Sequence, residues 1–116
     1  MKRISIVVPV YNEEENIAHF AHAVADVMER LPYHYELLFI DDGSSDRSRE
    51  ILRTLGAQDA HIGSIFLARN YGHQLALTCG IDHADGDAVI TMDGDMQHPP
   101  ELLPQLIARW EEGFDI

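Results

Sequence analysis

Four aspartates in two close pairs, Asp41-Asp42 and Asp93-Gly94-Asp95, are the residues of this 116-residue chain whose type and spacing point most directly to chemistry. Carboxylates held side by side repel, so two such pairs cost stability unless something positive binds. Asp93 and Asp95, with Gly94 letting the chain turn between them, offer hard oxygen ligands to Mg²⁺ or Mn²⁺, and the Gln97 amide adds a carbonyl oxygen. An ion held there would in turn neutralise a diphosphate. Asp-Gly-Asp is by itself also an ordinary acidic turn, and it occurs in calcium loops of the helix-loop-helix type. Those loops need a bidentate Glu at the twelfth position, which counted from Asp93 is Pro104, so that alternative fails.

Other ways of holding phosphate are missing. The turn Pro9-Val10-Tyr11-Asn12-Glu13-Glu14 contains no glycine, so the backbone cannot approach a pyrophosphate closely there as it does in dinucleotide folds. Its glutamates would repel phosphate, and no Gly-Lys-Ser or Gly-Lys-Thr occurs anywhere, which removes a Walker-type loop. A bound nucleotide then needs another counter-charge, which a metal at Asp93 and Asp95 supplies. Arg69 is a second candidate, with a local salt bridge to one of the many acids as the plain alternative. Among the histidines, His19 and His22 read as solvated helix positions, His98 as a helix-start residue beside Gln97, and His73 as a loop residue within reach of a ligand.

The elements that must position these groups alternate between short apolar runs and amphipathic stretches. Residues 4–8 read as a buried strand; Asn12 and the acids after it cap a helix running to about Leu31 and ended by Pro32. That helix carries Ile17, Phe20, Ala21, Val24, Val27, Met28 and Leu31 on one stripe. Residues 36–40 form a second strand, and 43–46 a turn and cap before a helix that buries Ile51, Leu52 and Leu55 and stops at Gly56. A third strand spans 62–68, a helix about 74–84, and a fourth strand 88–92. Pro99 and Pro100 open a last helix with Leu102, Leu103, Leu106, Ile107 and Trp110 on its core face, closed by Gly113 before what reads as the start of a fifth strand at 114–116.

Strictly alternating strands and helices imply a mostly parallel sheet covered by helices, and ligands then bind beyond the carboxyl ends of the strands. Four strand ends deliver the polar residues: Pro9, Tyr11, Asn12 and Glu13; Asp41 and Asp42; Arg69 and Asn70; Asp93, Asp95 and Gln97. With 46% hydrophobic residues the chain makes one domain core, residues 1–116, without a repeat or linker. It reads as part of a longer protein, truncated at its C-terminal side, because no helix follows the fifth run; a complete small flavodoxin-like domain is the alternative. Twenty acidic against eight basic residues, a net charge of -12, argue against nucleic acid or an anionic membrane surface as partner. No run approaches the roughly 18 apolar residues a membrane helix needs, and no signal peptide is evident. The single Cys79 reads as a buried free thiol, which fits a reducing cytoplasm.

Three ordered segments, Ile4-Ser5-Ile6-Val7-Val8-Pro9-Val10-Tyr11-Asn12-Glu13-Glu14, Ile40-Asp41-Asp42-Gly43-Ser44-Ser45-Asp46 and Asp93-Gly94-Asp95-Met96-Gln97-His98-Pro99-Pro100-Glu101, resemble family 2 glycosyltransferases. With Arg69-Asn70-Tyr71-Gly72 they look most like the branch of dolichyl-phosphate mannose synthase and the bacterial polyprenyl-phosphate glycosyltransferases. The resemblance implies an α/β fold of GT-A type, a Rossmann-like three-layer sandwich. It implies that Pro9, Tyr11 and Glu13 line a nucleoside pocket, that Asp41 or Asp42 contacts base or ribose, and that Asp93, Asp95 and Gln97 carry the metal and the sugar diphosphate. The implied reaction transfers a hexose from a UDP- or GDP-linked donor to a polyprenyl or dolichyl phosphate with inversion, at the cytoplasmic face of a membrane. Acceptor-side arginines would follow residue 116, and a homo-oligomer is compatible with all of this. Three alternatives stay open. One is donor binding for another acceptor, such as a cell-wall or surface glycan. Another is a non-catalytic nucleotide- or metal-binding module. The third is a haloacid-dehalogenase-type phosphatase, although its Asp-x-Asp normally follows the first strand and not the fourth.

Overall fold

A computed structural model describes residues 1–94 and 99–113. Its strands are β1 (Arg3–Val10), β2 (His34–Asp41), β3 (Ile62–Phe66) and β4 (Ala88–Thr91). Its helices are α1 (Ile17–Met28), α2 (Ser48–Gln58), α3 (His73–His83) and α4 (Leu103–Glu111), the last entered through a 3-10 turn at Pro100–Leu102. All pairings are parallel and the sheet order is β3-β2-β1-β4. The chain thus builds outward from β1 to β3, then crosses back to lay β4 on the other side of β1. The α/β architecture with a mostly parallel sheet is as expected.

β1 is buried on both faces because it is central, which explains its unbroken apolar run from Ile6 to Val10. Alternation sends Ile4, Ile6, Val8 and Val10 toward a core shared with Phe20, Leu52, Leu103 and Ile107 of α1, α2 and α4. Val7 instead joins Leu38 and Ile40 of β2 against Ala76 of α3. Three helices cover one face of the sheet and α3 covers the other. α3 lies so close that a Cβ on Gly80 would stand 2.4 Å from Cγ1 of Val7 and 2.9 Å from Cγ1 of Ile40, which only a glycine permits.

Several boundaries differ from expectation for identifiable reasons. α1 keeps its predicted stripe from Ile17 to Met28 but begins and ends at those residues, leaving Leu31 beyond it and only partly buried, and Asn12 does not cap it. Asn12 has φ 51 and spends its side chain on the loop after β2, while the Glu13 carbonyl accepts from the Asn16 and Ile17 amides at the helix start. α2 runs through Gly56 to Gln58, because nothing there demands a left-handed residue; Asp59 turns the chain instead, its carboxylate accepting the His61 amide at 2.9 Å. Leu102 is 40% exposed on the 3-10 turn and leaves the core to Leu103 and Ile107. Cys79 is half-buried, not buried. Trp110 is partly buried at the edge of the core, with Tyr33 beside it and the Lys2 ammonium 5.0 Å from its ring. The expected fifth strand at 114–116 lies outside the described residues.

Candidate functional site

Parallel strands put all four carboxyl ends on one edge, so the loops after them meet there. The switch point of this sheet falls between β1 and β4, where the connection leaving β1 runs through α1 on one face and the connection arriving at β4 runs through α3 on the other. The residue types at β1 hold that gap open. The Met92 amide donates to the Val7 carbonyl at 3.0 Å, and the next rung of a parallel ladder would need an N–H from Pro9. Proline has none, so the β1–β4 ladder stops and a cleft of about 220 Å³ opens, lined by Pro9, His73, Leu77, Thr91, Met92 and Asp93. A second cleft of about 210 Å³ adjoins it on the β2 side, with Tyr11, Asp42, Asn70 and Gly72 on its walls. Pro9 and His73 line both.

Asp41 and Asp42 do not form a facing pair. Asp41 turns toward α2, where Nε of Arg49 stands 2.8 Å from its Oδ2 and the Ser44 amide donates to the same oxygen at 3.1 Å. Asp41 is wholly buried, and its Oδ1 has no hydrogen-bond partner among the described residues. Asp42 turns toward α3, accepting the Tyr71 amide at 2.8 Å on Oδ1 and the Gly72 amide at 3.0 Å on Oδ2. The positive partner that adjacent aspartates call for is therefore internal: a guanidinium for one, and two N–H groups at the entry to α3 for the other. Asp42 also sets a negative charge at the N-terminal end of α3, where the helix dipole favours it.

Sequence reasoning missed Arg49. Its signal was available, since a cation in the first turn of a helix opposes the dipole and calls for a specific partner. The Gly43 backbone, at φ 73, completes the junction; a Cβ there would lie 2.3 Å from the carbonyl carbon of Arg69. The loop after β2 is thereby pressed onto the loop after β3.

Of the residues singled out from the sequence, Pro9, Tyr11, Asp42 and Asp93 come together around the two clefts, and Asp41 lies beneath them. Tyr11 keeps 46% of its surface exposed. Glu13 and Arg69 stand apart from the cleft walls. The Glu13 carboxylate accepts from Nδ2 of Asn16 at 2.9 Å, and the Arg69 guanidinium sits 4.8 Å over the Tyr71 ring. Asp95, Gln97 and His98 lie outside the described residues. Among the described residues no group of three or more His, Cys, Asp or Glu side chains is placed to hold a metal. Asp93, half-buried at the wall of the first cleft, is the one described member of the expected oxygen set. His19 and His22 are exposed on α1, away from both clefts.

A parallel sheet covered by helices, with carboxylates gathered at the carboxyl ends of its strands, makes this an α/β protein of the doubly wound class, the architecture expected of a GT-A fold. The glycosyl transferase family 2 profile matches residues 5–116, and the chain belongs to that family. It is 47% identical over 112 residues to the uncharacterized glycosyltransferase YkcC of Bacillus subtilis (strain 168), covering 97% of this chain and 35% of that protein. The chain thus spans about a third of the length of that curated relative. Among solved structures, it is similar to Staphylococcus aureus TarS 1-349 in complex with UDP-GlcNAc, with a TM-score of 0.74 and 24% identity over 97% of this chain and 32% of that one. It is also similar to the mannosyltransferase PcManGT of Pyrobaculum calidifontis in complex with GDP-Man and Mn²⁺, with a TM-score of 0.69 and 22% identity over 81% of this chain and 28% of that one. Glucosyl-3-phosphoglycerate synthase of Mycobacterium tuberculosis, in complex with Mn²⁺, UDP and glucosyl-3-phosphoglycerate, gives 0.74 and 22% over 94% of this chain and 39% of that one. At these identities the structural likenesses speak for the fold.

Proposed function

We propose that this chain is the donor-binding part of an inverting, metal-assisted glycosyltransferase that takes a hexose from a UDP- or GDP-linked donor. The observation that carries the reading is the pair of adjoining clefts running from Tyr11 across the switch point to Asp93. Their contents differ as a nucleoside and a diphosphate differ. On the β2 side, an exposed tyrosine ring and Asn70 offer stacking and amide hydrogen bonds to a base and ribose. On the β4 side stands Asp93, followed in sequence by Asp95 and Gln97, a hard-oxygen set suited to Mg²⁺ or Mn²⁺. When bound, such an ion stabilises the charge gathering on the departing nucleoside diphosphate. Asp42 supports the nucleoside side by holding the Tyr71–Gly72 backbone, and Asp41 supports it from below.

The acceptor in this reading is a polyprenyl phosphate, on the strength of the branch resemblance. A phosphate monoester with a second pKa of about 6 is largely dianionic near neutrality and needs no protein base to attack the anomeric carbon. The longer protein would then work at the cytoplasmic face of a membrane, although no helix among the described residues is long and apolar enough to cross one. Transfer to another glycan acceptor uses the same donor site.

Calorimetric titration of the chain with UDP- and GDP-hexoses, with Mn²⁺ and with chelator, tests the donor reading. Binding that requires the metal, and that Asp93→Asn or Asp95→Asn abolishes, is the expected result. Equal affinity in chelator would sink the metal role, and no affinity for either nucleotide would sink the donor site.

A further inference from the structure

We propose that Asn12 is a positioning residue, whose side chain clasps the β1–α1 loop to the β2–α2 loop and so sets the opening between Tyr11 and the wall at Asn70–His73. The proposal rests on the donor-site reading and assigns Asn12 no contact with the ligand.

Seven residues carry the clasp, in two directions. From the first loop, the amides of Asn12, Glu13 and Glu14 donate to Oγ of Ser44 at 2.9 Å, Oγ of Ser48 at 3.1 Å and Oδ2 of Asp46 at 3.2 Å. In return Oδ1 of Asn12 accepts from the Ser45 amide at 2.8 Å and the Asp46 amide at 3.3 Å, with the Ser45 hydroxyl at 3.4 Å. The partners are more than thirty residues apart in sequence, so these bonds define a tertiary distance and not a local turn. Asn12 alone among the described non-glycine residues has a positive φ, 51, a conformation that asparagine tolerates better than most residues.

The geometry converts the clasp into an aperture. Tyr11 precedes Asn12 directly and lines the β2-side cleft. The opposite wall is tied to the same β2 loop by Asp42, through the Tyr71 and Gly72 amides, and by the contact of Gly43 with Arg69. One loop therefore holds both walls, the near one through Asn12 and the far one through Asp42. Releasing the near attachment leaves the Tyr11 ring unfixed, and a nucleoside must then order it on binding.

Three variants separate backbone conformation from the clasp. Asn12→Gly keeps the positive φ and loses the acceptor, Asn12→Asp keeps both, and Ser44→Ala removes the acceptor of the Asn12 amide from the other side. Amide hydrogen exchange and titration with UDP and GDP in Mn²⁺ are the two readouts, with thermal unfolding to confirm that each variant folds. Asn12→Gly should lose protection at the Ser45 and Asp46 amides and bind the nucleotide roughly ten-fold more weakly, the effect of about one hydrogen bond's net worth. Ser44→Ala should weaken binding in the same direction, and Asn12→Asp should restore most of the affinity. Lost protection with unchanged affinity overturns the positioning role while leaving the donor site standing. A wild-type chain that binds neither nucleotide overturns the donor reading itself, and the positioning role with it.

Discussion

Nε of Arg49 lies 2.8 Å from Oδ2 of the wholly buried Asp41, and the same guanidinium donates to the Leu67 carbonyl. A single side chain from α2 thus ties the end of β2 to the first residue after β3. It does so beneath the junction where Gly43 meets Arg69, so the shape of the cleft floor and the stability of the fold share one ion pair.

Arg49→Met leaves that carboxylate buried without its cation and should destabilise the chain by about 2–3 kcal/mol, somewhat under the roughly 3–5 kcal/mol for breaking a fully buried pair because Arg49 remains a third exposed. Urea unfolding measures it. Adding Asp41→Leu should recover part of the loss, since removing the whole pair costs less than orphaning one member. A double variant that simply sums the two single losses would count against the pair as a coupled unit.

Gly80→Ala places a methyl 2.4 Å from Cγ1 of Val7 and should lift α3 from the sheet, costing about 1–3 kcal/mol by overpacking. Helix propensity alone predicts the opposite sign, a gain of up to about 1 kcal/mol for alanine. The sign of the shift in denaturation midpoint therefore decides between the two effects. Val7→Ala in the Gly80→Ala background should recover part of the loss by making room.

Asp46 sits in the clasp between the first two loops. Burial pushes its carboxyl up, but hydrogen bonds from Ser48 and from the Glu14 amide outweigh that and hold it below the usual 3.8. A depressed value means the folded state prefers the ionised form, so the stabilisation is present above 3.8 and is lost as pH falls through the folded value. Stability should decline on acidification below about pH 4, and Asp46→Asn should flatten that part of the curve. A decline of the same slope in Asp46→Asn would assign it to other carboxylates.

Periodicity and spacing determine much of this protein by themselves. The apolar stripe of α1, the buried run of β1, the alternation of strands and helices and the placement of aspartates after β2 and β4 follow from local rules, because each depends on residues within one element. The sheet edge that gathers Pro9, Tyr11, Asp42 and Asp93 follows from parallel connectivity. Tertiary structure alone decided which way each polar group turns and what it meets. Asp41 and Asp42 are adjacent in sequence yet serve opposite layers of the sandwich, one held by Arg49 and the other by the amides of Tyr71 and Gly72. Asn12 reads as a helix cap because its sequence neighbours are a helix start, but its hydrogen bonds go to Ser45 and Asp46. The physical reason is the same in each case: a buried or strained polar group takes the partner nearest in space, and for these residues that partner lies on another strand end of the folded chain.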